Sequence, residues 1–243
     1  MIIAAAQFTA RPCDIAANTA RMAAFVTEAG ERGAALVVFA ELAVTGYELD
    51  AIVAAGDGLL LDPDDPRLAP VRDACRAAGV AAVVNAPGRA AGGGPVISSF
   101  VYGPDGALLT RYDKVHVTGT ERAAGFVPGT AEGRFTLDGV GFGHVICYDA
   151  HFPECAARAA ADGCGVLLAS SLYGRGGGAQ ERMQIFPALA KDNGLYVLLA
   201  NHYGPSGPYD ACGLSAVWAP DGSVLAEGPD AGEGLVTAEV PLS

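Results

Sequence analysis

Short apolar runs alternate with longer helical patterns in the first third of the chain. Residues 2–8, 35–39 and 80–85 are rich in small and β-branched residues, a composition that predicts buried strands. Between them lie two helical patterns, one that runs from Asp14 as N-cap to residue 29 and one over residues 67–78 that follows an acidic turn. This alternation predicts βα units and therefore an α/β fold.

The middle and the end of the chain add antiparallel structure. Residues 96–102 and 107–112 flank a Pro-Asp-Gly turn, which predicts a β-hairpin. The charged stretch from there to residue 129 is predicted to be a loop, as are residues 202–210. Because no break in composition marks a linker, we predict a single domain over residues 1–243 with mixed sheets. The remaining predicted elements are strands over residues 134–137, 140–146, 165–170, 195–201, 213–218, 223–227 and 235–240, and helices over residues 48–55, 153–161 and 180–192.

Composition and charge narrow the class of protein. Of the 243 residues, 51% are hydrophobic and only 17% are charged, so the chain can bury a sizeable core. Asp and Glu outnumber Lys and Arg by 27 to 15, and the net charge of −12 is the wrong sign for binding phosphates. We therefore expect neither nucleic acid nor a membrane as partner. The chain also lacks a basic segment before its first apolar run, and the sequence predicts a cytoplasmic protein.

The cysteines and histidines do not form a metal-binding or disulfide pattern. Six cysteines are scattered through the chain without a secretion signal, which favours reduced thiols. The sequence contains neither a Cys-x-x-Cys pair nor a His-Glu-x-x-His motif, and the four histidines lack metal-ligand spacing. No metal or organic cofactor is expected.

Three reactive side chains stand where predicted strands end. Cys147 follows residues 140–146, Glu41 follows residues 35–39, and Lys114 follows the hairpin. A cysteine in this place can simply be a small buried hydrophobe, a glutamate can face solvent or cap a helix, and a lysine can be a solvated loop charge. A carboxylate next to an apolar strand is nevertheless costly unless it has a partner or a use.

The segments around these residues resemble the nitrilase, or carbon–nitrogen hydrolase, superfamily. Residues 39–47, 112–116 and 146–154 are similar to its glutamate, lysine and cysteine motifs, and residues 121–129 and 213–222 are similar to its second-glutamate and closing segments. The resemblance implies a four-layer α-β-β-α sandwich that pairs into a homodimer or a higher homo-oligomer.

The resemblance also implies roles for individual residues. Cys147 would be the nucleophile and Glu41 the base, while Lys114 and the backbone N–H of Tyr148 would hold the oxyanion. Glu121 would orient Lys114 or the substrate. The expected pocket-wall residues, which would bind substrate, are Tyr47, Asp149, His151, Tyr173 and His202.

The sequence leaves the substrate open. His151 stands where many members of the superfamily have Arg, which weakens any transfer of substrate, and Arg175 is the one candidate clamp for a carboxylate. We predict a small linear amide that is cleaved through a cysteine thioester to ammonia and a carboxylic acid, with an N-carbamoyl compound or a nitrile as alternatives. A catalytically silent binding module and a cysteine hydrolase of the isochorismatase-like type are the other classes. The second of these would not explain Glu41.

Overall fold

The computed structural model describes residues 1–130 and 133–241, which form two six-stranded sheets, a two-stranded ribbon and six α-helices. The strands are β1 (Ile2–Gln7), β2 (Ala34–Phe39), β3 (Ala81–Arg89), β4 (Pro95–Tyr102), β5 (Leu108–Asp113), β6 (Phe135–Leu137), β7 (Val140–Ile146), β8 (Val166–Ser171), β9 (Tyr196–Asn201), β10 (Tyr203–Ser206), β11 (Tyr209–Cys212), β12 (Ala216–Trp218), β13 (Val224–Glu227) and β14 (Gly234–Glu239). The helices are α1 (Ile15–Glu31), α2 (Leu49–Ala55), α3 (Ala69–Ala78), α4 (Gly119–Ala124), α5 (Pro153–Ala161) and α6 (Gly177–Asn193).

The two sheets have similar mixed topologies. The first has the strand order β14-β1-β2-β3-β4-β5, with parallel pairing from β1 to β3 and antiparallel pairing on both sides of that centre. The second has the order β13-β12-β9-β8-β7-β6, and β7, β8 and β9 form its parallel centre. Each parallel centre therefore consists of βα units, and each set of antiparallel flanks comes from hairpins and long connections.

The continuous apolar strands are explained by burial on both faces. Along β2, Leu36 and Val38 point into the core between the two sheets, while Val37 and Phe39 point into the core beneath α1 and α3. Along β8, Leu168 lies in the core between the sheets and its neighbours pack beneath α5 and α6. Side chains alternate with a period of two, so a strand that is covered on both faces needs apolar residues at every position.

These three cores stack into four layers. Helices α1 and α3 cover the outer face of the first sheet, the two sheets pack against each other, and α5 and α6 cover the outer face of the second sheet. The predicted α-β-β-α sandwich is confirmed. Within the described ranges, no helix is both long and apolar enough to cross a bilayer.

Two predicted loops contain regular structure. Residues 119–124 form α4, and residues 203–212 form the ribbon β10–β11, in which Tyr203 pairs with Cys212. The ribbon contains Gly and Pro, which indicate a loop, but contacts from elsewhere in the fold hold it: Thr9 Oγ1 donates to the Tyr203 carbonyl at 2.6 Å, and the Tyr47 amide donates to Ser206 Oγ at 2.9 Å. These long-range contacts override the local preference.

Close packing at Gly143 fixes the position of β7 against α5. A Cβ atom built on Gly143 would lie 2.6 Å from the Cβ atom of Ala159, so any larger residue would push the helix away from the strand. Because Cys147 follows directly after β7, this contact also fixes the strand that carries the cysteine.

Candidate active site

Glu41, Lys114 and Cys147 come from three strand ends. Glu41 lies just beyond β2 and Lys114 just beyond β5, both in the first sheet, whereas Cys147 follows β7 in the second sheet. Glu41 and Cys147 line one cleft of about 460 Å³. Strands from both sheets therefore contribute to this site.

A buried ion cluster forms around Lys114. Its Nζ atom donates to Glu41 Oε1 and to Glu121 Oε1, both at 2.6 Å, and all three side chains are excluded from solvent. The Tyr47 hydroxyl donates to the same Glu121 oxygen at 2.5 Å. The backbone of Lys114 is also fixed, since its N–H donates to the Ile97 carbonyl at 2.8 Å. A buried ammonium group with two charge-assisted hydrogen bonds has a single well-defined position.

The electrostatics of the cluster depend on burial and on mutual charge. Burial raises the pKa of Glu41 to about 7, although the Lys114 ammonium opposes the rise. Burial acts to lower the pKa of Lys114, but the negative charges of Glu41, Cys147 and Glu121 outweigh that effect and raise it. Burial and the Glu41 carboxylate both raise the pKa of the Cys147 thiol. Glu41 Oε2 is buried and has no hydrogen-bond partner among the described residues, so it is available as a proton acceptor.

Cys147 occupies a strained backbone position. Its φ of 44° lies in the left-handed region, which non-glycine residues rarely adopt. Cys147 is also the first residue of a 3₁₀ turn over Cys147–His151. The side chain is partly exposed to the cleft, and Sγ lies 3.7 Å from the Leu172 carbonyl. The strand-to-turn transition thus holds the sulfur at the end of the sheet with its side chain directed into the cleft.

Asp149 holds that turn in place from behind. Its carboxylate accepts hydrogen bonds from the Ile146 amide at 3.1 Å, the Tyr112 hydroxyl at 2.7 Å and the His116 amide at 2.8 Å, and the residue is fully buried. His116 Nδ1 also lies 2.9 Å from the same carboxylate, and its ring stacks on Phe152. Asp149 therefore does not line the cleft, and its position is that of a structural anchor rather than of a substrate-binding group.

His202 also lies outside the cleft. Its Nε2 atom hydrogen-bonds the backbone carbonyl of Glu41, and burial lowers its pKa to about 4, so the imidazole is neutral at physiological pH. The other three expected wall residues, Tyr47, His151 and Tyr173, line the cleft together with Tyr148. The structure thus places His202 behind Glu41, where it supports the backbone, and not beside the substrate.

Two buried asparagines that the sequence analysis did not select hold the loops of the site. Asn85 Oδ1 accepts from the Leu42 amide at 2.6 Å, next to Glu41, and Asn201 Oδ1 accepts from the Tyr173 amide at 2.8 Å. Each asparagine stands at the end of an apolar run, residues 80–85 and 195–201. A buried side-chain amide needs hydrogen-bond partners, so an asparagine at the end of an apolar run indicates a residue that holds nearby backbone.

The part of the chain that the structure describes offers no metal site. No group of three or more His, Cys, Asp or Glu side chains within residues 1–130 and 133–241 could hold a metal ion. The buried cluster instead contains an ammonium group, two carboxylates and, through the shared cleft, a thiol. This is a set of groups for acid–base and nucleophilic chemistry.

Comparison with solved structures identifies similar amidases. The chain aligns with an amidase of the nitrilase superfamily from Nesterenkonia sp. AN1 with a TM-score of 0.89 and 31% identity, covering 99% of this chain and 92% of that one. That amidase has been solved as a cysteine-to-alanine variant in complex with butyramide, and with the acetamide moiety of fluoroacetamide added covalently at its active-site cysteine.

Comparison with known sequences agrees. The chain is 31% identical over 236 residues to a hydrolase encoded in the pqqF 5′ region of Pseudomonas protegens, covering 93% of this chain and 78% of that protein. It is 27% identical over 229 residues to the 2-oxoglutaramate amidase of Bacillus subtilis, covering 91% and 84%. The carbon-nitrogen hydrolase family model matches residues 2–243. The chain therefore belongs to the carbon-nitrogen hydrolase family of the nitrilase superfamily, and it is amidase-like.

Proposed function

We propose that this protein hydrolyses a small linear amide through a thioester on Cys147, with Glu41 as the base and Lys114 as the oxyanion-binding cation. The observation that carries the proposal is that the Lys114 cluster includes Glu41, and that Glu41 and Cys147 line the same cleft. A nucleophile, a proton carrier and a fixed positive charge at one place are the requirements of acyl transfer.

In the first step, Cys147 Sγ attacks the amide carbonyl carbon as its proton passes to Glu41. Burial raises the pKa of Glu41 to about 7, so its carboxylate is a stronger base than an exposed glutamate. The negative charge that develops on the carbonyl oxygen is stabilised by Lys114 and by the backbone N–H of Tyr148. A donor of this kind contributes about 3 kcal/mol to transition-state stabilisation.

In the second step, the C–N bond breaks and Glu41 returns the proton to the departing nitrogen, which leaves as ammonia. The acyl group is then held on Cys147 as a thioester. Glu41 next takes a proton from water as the hydroxide attacks the thioester carbon. The C–S bond then breaks, Glu41 returns that proton to Cys147 Sγ, and the carboxylic acid leaves. One amide and one water thus yield one carboxylic acid and one ammonia, with no net change in the protein and no metal or organic cofactor.

Glu121 and Tyr47 position the cation in this scheme. Lys114 must donate to the oxyanion without losing its place, and the Glu121 carboxylate holds it on one side while Tyr47 holds Glu121. The cluster contains two carboxylates and one ammonium group. Their net negative charge favours the protonated form of Lys114 throughout the reaction.

Ammonia release from a substrate panel tests the proposal. The purified protein is assayed with butyramide, 2-oxoglutaramate, a ureido acid and a nitrile, the last because a nitrilase of Pyrococcus abyssi is 28% identical to this chain. We expect butyramide to be hydrolysed faster than the ureido acid and the nitrile, and we expect Cys147→Ala to remove activity while the matched Cys155→Ala keeps it. Binding without turnover of any compound would instead support a catalytically silent binding module.

A further inference from the structure

The charges that line the cleft are not balanced, and the imbalance bears on the substrate. This inference rests on the amide hydrolysis proposed above. Arg175 lines the cleft, but its Nε atom lies 3.1 Å from Asp210 Oδ2 and its Nη2 atom donates to the Asp230 carbonyl at 2.8 Å. Its positive charge is therefore already matched, and Arg175 is poorly placed to clamp a substrate carboxylate.

Glu181 supplies an unmatched negative charge to the same cleft. It lies on α6 and lines the cleft, and within the described residues the one basic side chain within ion-pair distance of it is the imidazole of His151, whose Nδ1 atom is 3.8 Å from Glu181 Oε1. No lysine or arginine of the described chain lies within ion-pair distance of it. The side chain is 48% exposed, so it can meet a ligand without losing all of its hydration.

Tyr173 lines the same cleft as Cys147 and Glu181. It is buried, and its hydroxyl has no hydrogen-bond partner among the described residues. Burial raises the pKa of Tyr173, and the acidic groups Cys147, Glu181 and Glu41 raise it further. A buried hydroxyl without a partner costs free energy unless a ligand supplies the missing hydrogen bond.

We propose that the cleft selects linear amides that carry an ammonium group at the end of the acyl chain remote from the amide, and that it rejects those that carry a carboxylate there. The amide would sit at Cys147, the ammonium group would pair with Glu181, and the Tyr173 hydroxyl would accept a hydrogen bond from it. A carboxylate in the same place would face Glu181, and no unpaired lysine or arginine among the described residues that line the cleft would offset the repulsion. The excess negative charge of Glu41 and Glu121 over Lys114 acts in the same direction.

Matched substrates of equal length test this proposal. Pentanamide, 4-aminobutyramide and succinamate have chains of equal length counted from the amide carbon, and they end in a methyl, an ammonium and a carboxylate group; the comparison is repeated with amides one and two methylenes longer. At the best length, we expect kcat/KM for the ammonium amide to exceed that for the carboxylate amide by about tenfold or more, as the sum of one attraction and one repulsion at a half-exposed site. A preference for the carboxylate amides would overturn the proposal.

Variants at Glu181 identify the responsible group. We expect Glu181→Gln to reduce the ammonium-to-carboxylate ratio by about tenfold and Glu181→Lys to invert it, whereas the control Glu154→Gln, on α5 and outside the cleft, leaves the ratio unchanged. The ratio of the two kcat/KM values is compared because a general loss of activity in a variant lowers both values equally and leaves their ratio unchanged. If butyramide is hydrolysed but the ratio does not respond to Glu181, this inference fails alone; if no amide is hydrolysed, the proposed function fails as well.

Discussion

Lys114 is buried in the protein interior, where a charged side chain is stable only with partners of opposite charge. Its ammonium group is fully buried and lies between two carboxylates at 2.6 Å each. Removing it would leave Glu41 and Glu121 close together without a counter-ion, which typically costs about 3–5 kcal/mol for a buried pair. The site is therefore sensitive both to the charge at this position and to the shape of the group that carries it.

Lys114→Arg separates charge from shape. The guanidinium group keeps the positive charge but is a wide planar fork, and it cannot place one compact donor between Glu41 and the oxyanion. We expect kcat/KM for butyramide to fall by at least about 100-fold, the effect of one misplaced oxyanion donor. Lys191→Arg is the matched control, because Lys191 is exposed at the end of α6. Retention of more than about a third of the activity by Lys114→Arg would contradict the proposed role.

The pKa of Glu41 predicts the acid side of the pH profile. Burial raises this pKa from 4.5 to about 7, and Glu41 accepts a proton only when it is ionised. As the pH falls below about 7, the carboxylate becomes protonated, so kcat/KM should fall about tenfold for each further pH unit. The measurement is the pH dependence of kcat/KM for butyramide. The apparent pKa of that profile describes Glu41, Lys114 and Cys147 together, because the three groups interact. A profile that is flat from pH 8 down to pH 5, within about twofold, would exclude Glu41 as the base.

At the scale of single residues, the sequence predicts which residues lie at the strand ends, but it does not predict where their side chains point. Glu41 and Cys147 follow apolar strands, which is why their place at the sheet ends could be predicted. Asp149 is only two residues from Cys147, yet its carboxylate points away from the cleft toward Tyr112 and His116. Which way a turn residue faces depends on partners that are distant in the chain, and a local motif contains no information about them.

Helix α4 connects the cap of a helix to the ion cluster. Thr118 Oγ1 accepts from the Glu121 amide at 3.2 Å, and Glu121 Oε2 accepts from the Thr118 amide at 2.8 Å, which is a capping box. The other oxygen of Glu121 accepts from Lys114. The carboxylate that holds the cation is therefore itself held by the start of a short helix.

Thr118→Ala should weaken both the N-terminal cap of α4 and the ion cluster around Lys114. Loss of the hydroxyl that accepts from the Glu121 amide is expected to lower the free energy of unfolding by about 1 kcal/mol. The start of α4 that carries Glu121 is then less firmly held, so Lys114 should be less well placed and kcat/KM should fall. Thermal denaturation and butyramide kinetics measure the two effects. Thr118→Ser keeps the hydroxyl and should restore both. A Thr118→Ala protein with lower stability but unchanged kcat/KM would show that the cap does not position the cluster.

At the scale of elements, apolar runs predicted the strands of both sheets and periodic segments predicted five of the six helices. The helix α4 was missed because its six residues contain no apolar stripe, although Thr118 and Glu121 have the spacing of a capping box. The ribbon β10–β11 was missed because its pairing depends on contacts with residues such as Thr9, about 190 residues away in the chain. Helix α1 also continues past Gly30, where the missing side chain allows the close approach of Ala78 on α3, and this packing outweighs the cost of one glycine.

The whole molecule brings the two sheets together around one cleft. Glu41 and Lys114 come from the first sheet and Cys147 from the second, so the core between the sheets fixes the distance between the proposed base and the proposed nucleophile. A substitution in that core, far from the cleft, can therefore change activity through geometry. The four-layer architecture could be anticipated from the strand and helix pattern together with the family resemblance, whereas the charges lining the cleft could not.

The oligomeric state is a prediction at this scale. The family resemblance favours a homodimer or a higher homo-oligomer, and light scattering during size-exclusion chromatography measures the mass directly. We expect a mass of two chains or more at micromolar concentration. Because each chain carries a net charge of −12, the measurement is best made at physiological salt, where repulsion between copies is screened. A mass of one chain under these conditions would contradict the prediction.

The central claim is that the acyl group passes through Cys147, and the acyl adduct itself tests it most directly. A substrate is chosen that gives a burst of ammonia release, which means that the acyl-enzyme accumulates, and the wild-type protein is quenched in acid during the burst. Mass spectrometry of the intact protein and of its peptides then locates the acyl group. The account predicts one acyl group per chain, on Cys147. An acyl group on Cys155 or Cys164, both partly exposed, or on no cysteine at all during the burst, would contradict it.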